Sequence, residues 1–575
     1  MGPSFGSECG KIASALAAQA KLPGIVFCLS RKRCVDGAHA CASLNLLHQA
    51  KAAAEPDAEA DPEGHAAWAA AESQRRAEAR ATERAMKGMH KLHLQRFMPE
   101  LGELDAYKDI NSLLQLGVAY HHGGMLPVLR EYVELCFQQK LVKLVFATET
   151  LAVGVNMPAR TVVFSQLDKP NDGDLPGHRP LRPDEFWQMA GRAGRRGMDE
   201  LGYVIYAPTL SVGGLRTMAS PHELREMLTG RMPAARSQLV VDHSFVLRHL
   251  ARGCGEEVLT RTLRADGNRR ERDALSAELA AADAAAGGAG AGGGGAALAA
   301  ASARFAEVKA KLGGEEIGGV KMQIGQKARK ALEKELRELK EAHGDAIEAE
   351  ATANATRARL EQDIANNEAA LRNEWARAYG WLCDYEFIAP ATGPGPSLTL
   401  TARGQACAAF AEGHPLIIGT IISDGWLAGL NAREVCAWLG CFLRESSRMP
   451  ELPDAPPSSG GEPPAAPSKA LLQVLDESDH LAGMLDVKLS RNLCLLLLDW
   501  TRFKDVGRIA SWLDGHELGS FVKGVMRIVS YVDVVRTVLL GLGEYETHNR
   551  LDAHMELLLG GLVTNESLYL HLVDA

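Results

Sequence analysis

The 575-residue chain is long enough for three or four domains, and its 46% apolar and 23% charged content is that of an ordinary globular protein. A net charge of −9 excludes a generally basic nucleic-acid coat while leaving room for a local basic groove. Its 11 cysteines are scattered and never form a CxxC pair, the pattern of reduced thiols in an intracellular protein with no zinc ribbon.

The N-terminus lacks the basic-then-apolar order of a signal peptide. Four short apolar runs, GIVFCLS (24–30), LVKLVFAT (141–148), TVVFS (161–165) and GYVIYA (202–207), read as buried strands. Helical stretches lie between them, notably 127–138 and 183–195. Alternation of this kind predicts a parallel sheet with helices on both faces, so residues 1–215 form one α/β domain. Segment 50–97 is an insertion in it, and its 50–85 stretch is Ala/Glu/Arg-rich with little apolar periodicity, expected at the surface as helix or disorder.

Beyond 215 the pattern is helical. The Gly/Ala tract 283–303 is expected to be flexible. KARKALEKELRELKEA places Leu332, Leu336 and Leu339 on one stripe, with Glu333–Arg337 and Lys334–Glu338 spaced for ion pairs. A second helix carries Leu360, Ile364, Leu371 and Trp375 on one side, and Gly344 between the two predicts an antiparallel helical hairpin. SLTLTARGQACAAF (397–410) reads as a strand and a helix, and a further helical region begins near Pro415. The run LIIGTIISDGWLAGL is interrupted by Asp424 and too short to span a membrane. A Pro-rich loop (449–468) precedes leucine-rich amphipathic runs expected to form a helical bundle.

Three stretches carry candidate chemistry. In ATETLAVGVNMPARTVVF (147–164), Thr148 stands where a strand ends, a usual ligand position in open α/β sheets. Gly154 lets a ligand approach the backbone, and Asn156 offers an amide beside it. The plain alternative is a strand, a turn and a strand. In GVAYHHGGMLPVLREYVELCF (117–137), His121 and His122 point to opposite faces of a strand, which disfavours a shared metal. The helix after Gly123 and Gly124 offers its first N–H groups to a phosphate. In QMAGRAGRRG (188–197), a helix starting at Pro183 would set Gln188, Arg192 and Arg195 on one face at i, i+4 and i+7, suited to a polyphosphate. Taken alone, this decamer also reads as an Arg/Gly tract or a basic patch.

In this fixed order, and with FCLSRKRC at 27–34, these stretches resemble motifs of the second RecA-like domain of superfamily 2 DExH-box RNA helicases. The superkiller-type and exosome-assisting helicases are most similar, since ATET and GRRG fit them better than the related archaeal-type DNA repair helicases. Weaker resemblance runs through SQLVVDHSFVLRHL, LTARGQACAAFAEGHPLIIGTIISDGWL and the terminal ESLYL. It implies a winged helix in two parts (216–267 and 372–410), a helical-hairpin insertion (268–371) and a C-terminal helical bundle (411–575). It also implies that Ser30, Arg31, His122, Gly123 and Thr148 lie along single-stranded RNA. Gly154, Asn156 and Gln188 would line the ATP cleft, with Arg192 and Arg195 as arginine fingers. The implied cofactors are ATP and magnesium, held mostly by a first motor domain. The implied partners are RNA, the RNA exosome or its adaptors, and no membrane; the implied residence is nuclear or cytoplasmic.

Three features depart from the family. GSECGKI (6–12) is one residue short of GxxxxGK[ST] and has Ile12 where a hydroxyl is required. LLQVLDESD (471–479) mimics a magnesium-binding DExD motif but lies downstream of the arginines, so Asp476 and Glu477 are expected on an exposed helix face. The family's arch also carries a β-rich head, for which 268–371 shows no pattern. The leading expectation is therefore the C-terminal part of an ATP-dependent RNA helicase. The rivals are a non-catalytic RNA-binding scaffold derived from one and a DNA-acting relative.

Overall fold

The computed structural model describes residues 4–47, 61–153, 157–171, 176–211, 219–233, 237–289, 295–313, 316–317, 320–321, 326–389, 400–443, 465–513 and 517–572. The chain divides into two compact units, Met1–Ala234 with Glu412–Ala575, and Ala235–Ala411.

The first unit is built on strands β1 (Gly24–Phe27), β2 (Val118–His121), β3 (Leu144–Ala147), β4 (Thr161–Phe164) and β7 (Tyr203–Tyr206), in the order β2-β3-β1-β4-β7. All four pairings are parallel, with Phe27 level with both Ala147 and Phe164, and His121 level with Ala147. A short antiparallel hairpin, β5 (Asp168–Pro170) and β6 (His178–Pro180), stands apart from this sheet. Every residue of β1 to β4 is buried, which is why these strands read as continuous apolar runs, whereas β7 lies at an edge and is half-buried. The expected parallel α/β sheet is present.

Its helices are α1 (Phe5–Ala18), α2 (Arg31–Ala42), α3 (Pro62–His93), α4 (Met98–Leu101), α5 (Asp105–Leu114), α6 (Pro127–Gln138), α7 (Pro183–Ala190) and α8 (Pro221–Thr229). GSECGKI is simply part of α1, where Lys11 pairs with Glu8 at 2.7 Å. Within the insertion, α3 is one 32-residue helix capped by Asp61, whose Oδ1 accepts the Gly64 N–H at 2.9 Å. Of the stretch read as helix or disorder, residues 62–85 are continuous helix because alanine, glutamate and arginine all favour it, while residues 50–60 lie outside the described residues.

The second unit holds α9 (His243–Ala251), α10 (Leu263–Ala289), α11 (Gly295–Gly313), the ribbon β8 (Glu316–Ile317) with β9 (Val320–Lys321), α12 (Gln326–His343), α13 (Asp345–Asp384) and α14 (Ala402–Ala408). Gly344 turns the chain at φ +60°, and Lys334 pairs with Glu338 at 3.5 Å, as the spacing predicted. Glu333, however, takes Arg329 at 3.0 Å. The hairpin partner also differs. Antiparallel to α13 runs α10, through Arg264–Glu374 (2.6 Å), Asn367–Glu271 (3.0 Å) and Asp283–Arg357. At 40 residues α13 far outreaches the 18-residue α12, so its lower apolar stripe needs another helix. Of the Gly/Ala tract, 283–289 and 295–303 are helical ends of α10 and α11, since alanine is the strongest helix former; residues 290–294 lie outside the described residues. At the foot of α13, Phe245, Leu382, Phe387 and Cys407 are buried together with α9 and α14, and an antiparallel bridge joins Ile388 to Leu400.

The C-terminal part of the first unit comprises α15 (Pro415–Ser423), α16 (Ala432–Leu439), α17 (Lys469–Met484), α18 (Asn492–Phe503), α19 (Val506–Trp512) and α20 (Leu518–Leu542), followed by shorter helices. Leu416 to Ile422 are buried all round in α15, so LIIGTIIS is core; among the described residues no helix is long and apolar enough to cross a membrane. Buried tryptophans satisfy their N–H groups, Trp438 on Ser478 Oγ at 3.0 Å and Trp500 on the Leu558 carbonyl at 2.7 Å. Asp476 is exposed on α17, where it and Asp479 face Arg491 at 3.6 and 2.5 Å. The part of the Pro-rich loop before residue 465 lies outside the described residues. All eleven cysteines are free.

Candidate functional site

The equal register of β2, β3 and β1 brings three chain segments to one edge of the sheet. Leu29, held at φ +49°, turns the chain off the end of β1 into Ser30 at the head of α2. A bulky residue in the left-handed region is costly and is kept only where the surroundings fix it. Ser30 Oγ makes no capping bond, and Ser30, Arg31 and Thr148 are each half-buried. The Thr148 N–H donates to the His121 carbonyl at 3.2 Å, and its Oγ1 lies 3.0 Å from Thr150 Oγ1. Ser30 and Arg31, His122 and Gly123, and Thr148 therefore follow the carboxyl ends of three neighbouring parallel strands, where open α/β sheets bind ligands.

Several details depart from expectation. His122 is only 6% exposed. It stacks on Tyr120, and its Nδ1 accepts the Gly124 N–H at 3.2 Å. The Met125 N–H donates to the His122 carbonyl, and α6 begins with Pro127, which has no N–H. The Gly124 and Met125 amides thus point inward at the turn itself, because a tight turn before α6 consumes them. His121, on the opposite face, is buried against Glu134, with Nε2 and Oε1 2.6 Å apart. Among the described residues no group of three His, Cys, Asp or Glu is arranged to hold a metal ion.

Sequence reasoning missed what covers this edge. Arg31 Nη1 donates to Glu517, just before α20, and Lys523 Nζ donates to the Gly123 carbonyl at 3.1 Å. These partners lie hundreds of residues from Arg31 and Gly123, so no local pattern announces them. Burial is the largest influence on Lys523, whose ammonium is pushed below its ordinary value, with Arg130 and Arg31 adding repulsion.

The arginines sit elsewhere. α7 stops at Ala190, capped by Gly191, so Arg192 and Arg195 are not on one helical face with the exposed Gln188. The chain leaves the helix because Ala159 and Ala193 form a parallel bridge, with Ala159 N–H on the Arg192 carbonyl at 2.8 Å and Gly194 N–H on the Ala159 carbonyl at 2.7 Å. These residues precede β4, so the arginines lie toward the amino ends of the strands. Arg192 reaches back through Nη2 to the Ala152 carbonyl, and burial lowers its pKa. Arg195 lies in a side-on pair with Asp199, through Nε and Nη2 at 2.7 Å each. The hydrogen bond from Arg195 outweighs burial and holds the Asp199 carboxyl down at about 2. Asp199, absent from the expected site, was legible as an acid four residues after Arg195. Gly154 and Asn156 fall outside the described residues.

Comparison with known proteins fits this arrangement. Residues 96–197 match the family described as "Helicase conserved C-terminal domain", and residues 397–565 the DSHCT (NUC185) domain. Superkiller complex protein 2 of Mus musculus is 36% identical over 241 residues, which is 41% of this chain and 16% of that protein. Antiviral helicase SKI2 of Saccharomyces cerevisiae is 50% identical over 119 residues, 20% of this chain and 9% of that protein. Exosome RNA helicase MTR4 of Homo sapiens is 43% identical over 125 residues, 21% and 12% of the two chains. The two matched segments, with these relatives, support a C-terminal portion of a superkiller-type superfamily 2 helicase. The matches span at most 16% of the length of these three relatives.

Proposed function

We propose that the chain is the second motor domain and helical region of an ATP-dependent RNA helicase of RNA processing or decay. One observation carries the reading: Ser30 and Arg31, Gly123 and Thr148 collect on one edge of a parallel sheet, at the ends of β1, β2 and β3. In this reading that edge tracks the backbone of single-stranded RNA, with the His122 ring shaping the Gly123 turn from beneath. The segment after Thr148 is held by Arg192 on the Ala152 carbonyl, which joins the RNA edge to the arginine loop. Gln188, with Gly154 and Asn156, would line a nucleotide cleft. Bound ATP with magnesium supplies the phosphoryl group. Arg192 and Arg195 would stabilise charge that develops on it.

The fit is partial in a specific way. The guanidiniums suit a polyphosphate, but the nearest phosphate-loop pattern is folded into α1. The lysine and the carboxylate-held metal must therefore come from a first motor domain. α9, the foot of α13 and α14, with the Ile388–Leu400 bridge, support a winged helix in the second unit. The exosome, named in a relative, or its adaptors are the partners this reading assigns.

Phosphate release tests it. The chain alone should not hydrolyse ATP, with or without RNA. Joined to a P-loop-bearing first motor domain of this family, it should gain RNA-stimulated turnover, and Arg195→Ala should lower that by about 10³-fold. Turnover by the isolated chain that depends on Arg195, or a joined form indifferent to Arg195→Ala, would overturn the assignment.

A further inference from the structure

We infer that Asp199 is a positioning residue for Arg195, holding its guanidinium in one orientation with the Nη1 edge turned free. The inference rests on the reading of Arg195 as an arginine finger and deepens it.

A finger on a flexible four-bond side chain loses its value if it must be ordered at each turnover, so a fixed support raises catalytic efficiency. Asp199 has the geometry of such a support. Its carboxylate accepts from Arg195 Nε and Nη2 at 2.7 Å each, and from the Arg195 backbone N–H at 3.1 Å. The side-on pair fixes the guanidinium plane, and the third bond fixes the carboxylate to the same residue's backbone. Arg195 Nη1 has no partner among the described residues, and the side chain is 18% exposed while that of Asp199 is 3% exposed. The donor edge left over is therefore the one that can meet a phosphate oxygen.

The surrounding backbone is built for this turn. Met198 and Asp199 N–H groups donate to the Arg195 carbonyl at 3.0 and 2.9 Å, closing a single turn. Gly194 enters it at φ +90°, and a Cβ on Gly202 would stand 2.6 Å from the Ala193 carbonyl carbon. Arg160 Nε lies 3.8 Å from Asp199 Oδ1, a second cation that keeps the carboxylate ionised.

The test uses the chain joined to a P-loop-bearing first motor domain of this family, read by single-turnover and steady-state phosphate release, RNA affinity and thermal melting. Asp199→Asn should lower kcat by about tenfold or more, the loss expected when a charged group loses a paired hydrogen-bond partner. Asp199→Glu keeps the charge but displaces the guanidinium, so it too should slow kcat; a purely charge-balancing role would be satisfied by it. Arg195→Ala combined with Asp199→Asn should be no slower than Arg195→Ala alone, because Asp199 acts only through Arg195. RNA affinity should stay at the wild-type value in every variant. Wild-type kcat in Asp199→Glu, or additive losses in the double variant, would overturn the inference while leaving the finger reading intact. An Arg195→Ala form with wild-type turnover would instead defeat the finger reading itself.

Discussion

The phenol of Tyr569 donates to Glu134 Oε2 at 2.7 Å, while His121 holds Oε1 of the same carboxylate at 2.6 Å. One buried acid thus ties the last helical turn of the chain to β2 and α6. Beside it, Glu131 Oε2 accepts the Leu568 N–H at 2.7 Å and lies 3.0 Å from Ser567 Oγ. Tyr569→Phe removes a donor from a charged, buried acceptor and should cost about 1–3 kcal/mol in chemical denaturation, with the sheet domain unfolding first affected.

The same cluster sets a pH response. Burial is the largest influence on His121 and lowers its pKa, so the ring stays neutral and Nε2–H donates to Glu134. Burial raises the Glu134 carboxyl, but hydrogen bonds from His121 and Tyr569 outweigh it and hold it low. Both groups have depressed folded values, so their stabilisation is present above the unfolded values and is lost as pH falls. Histidine acts first, from about pH 6.5 downward. The melting temperature should therefore fall as the pH drops below about 6.5. His121→Gln, which keeps a neutral donor, should flatten that dependence; an identical slope in the variant would remove His121 as its source.

Gly519 and Gly541 both lie in α20 yet should respond oppositely to alanine. A Cβ on Gly519 would stand 1.9 Å from the Met125 carbonyl oxygen, and backbone cannot yield as a side chain does. Gly519→Ala should destabilise by about 1–3 kcal/mol through forced separation of α20 from the Gly123–Met125 turn. Gly541 has nothing within 4 Å of such a Cβ, so Gly541→Ala should stabilise by about 0.5–1 kcal/mol. Urea unfolding of the two variants side by side checks the pair.

The helical insertion should be separable at a defined point. Asp283 and Arg357 form an ion pair between α10 and α13, so the chain ends at those residues are already close. Replacing 284–356 by a short Gly/Ser linker should preserve the thermal transition of the remainder while far-UV circular dichroism records the lost helix. Insoluble or non-cooperative protein would show that α11 and α12 belong to a shared core.

The chain should bind single-stranded RNA weakly, with affinity falling steeply as salt rises, because contacts to the backbone release counterions. Thr148 is half-buried with its Oγ1 on Thr150, so Thr148→Ala should weaken binding without shifting the melt. Fluorescence anisotropy at several salt concentrations reads both effects, and binding indifferent to salt and to Thr148→Ala would remove the RNA edge.

Sequence by itself determined the parallel α/β sheet and the candidate segments around Ser30, Thr148 and Gln188. Buried parallel strands are continuous apolar runs, and motif order survives without any fold. It also determined α12, the turn at Gly344 and the start of α13, because helical periodicity is local. What it could not determine was partnership across distance. The α10 face that meets α13 has no strong apolar stripe, so only the ladder from Arg264–Glu374 to Asp283–Arg357 reveals it. The helix through QMAGRAGRRG looked continuous, but the Ala159–Ala193 bridge ends it, since pairing with the chain ahead of β4 competes with another helical turn. Glu517 on Arg31 and Tyr569 on Glu134 arise only once the C-terminal helices fold back on the sheet, and charges brought together that way leave no periodicity in the chain.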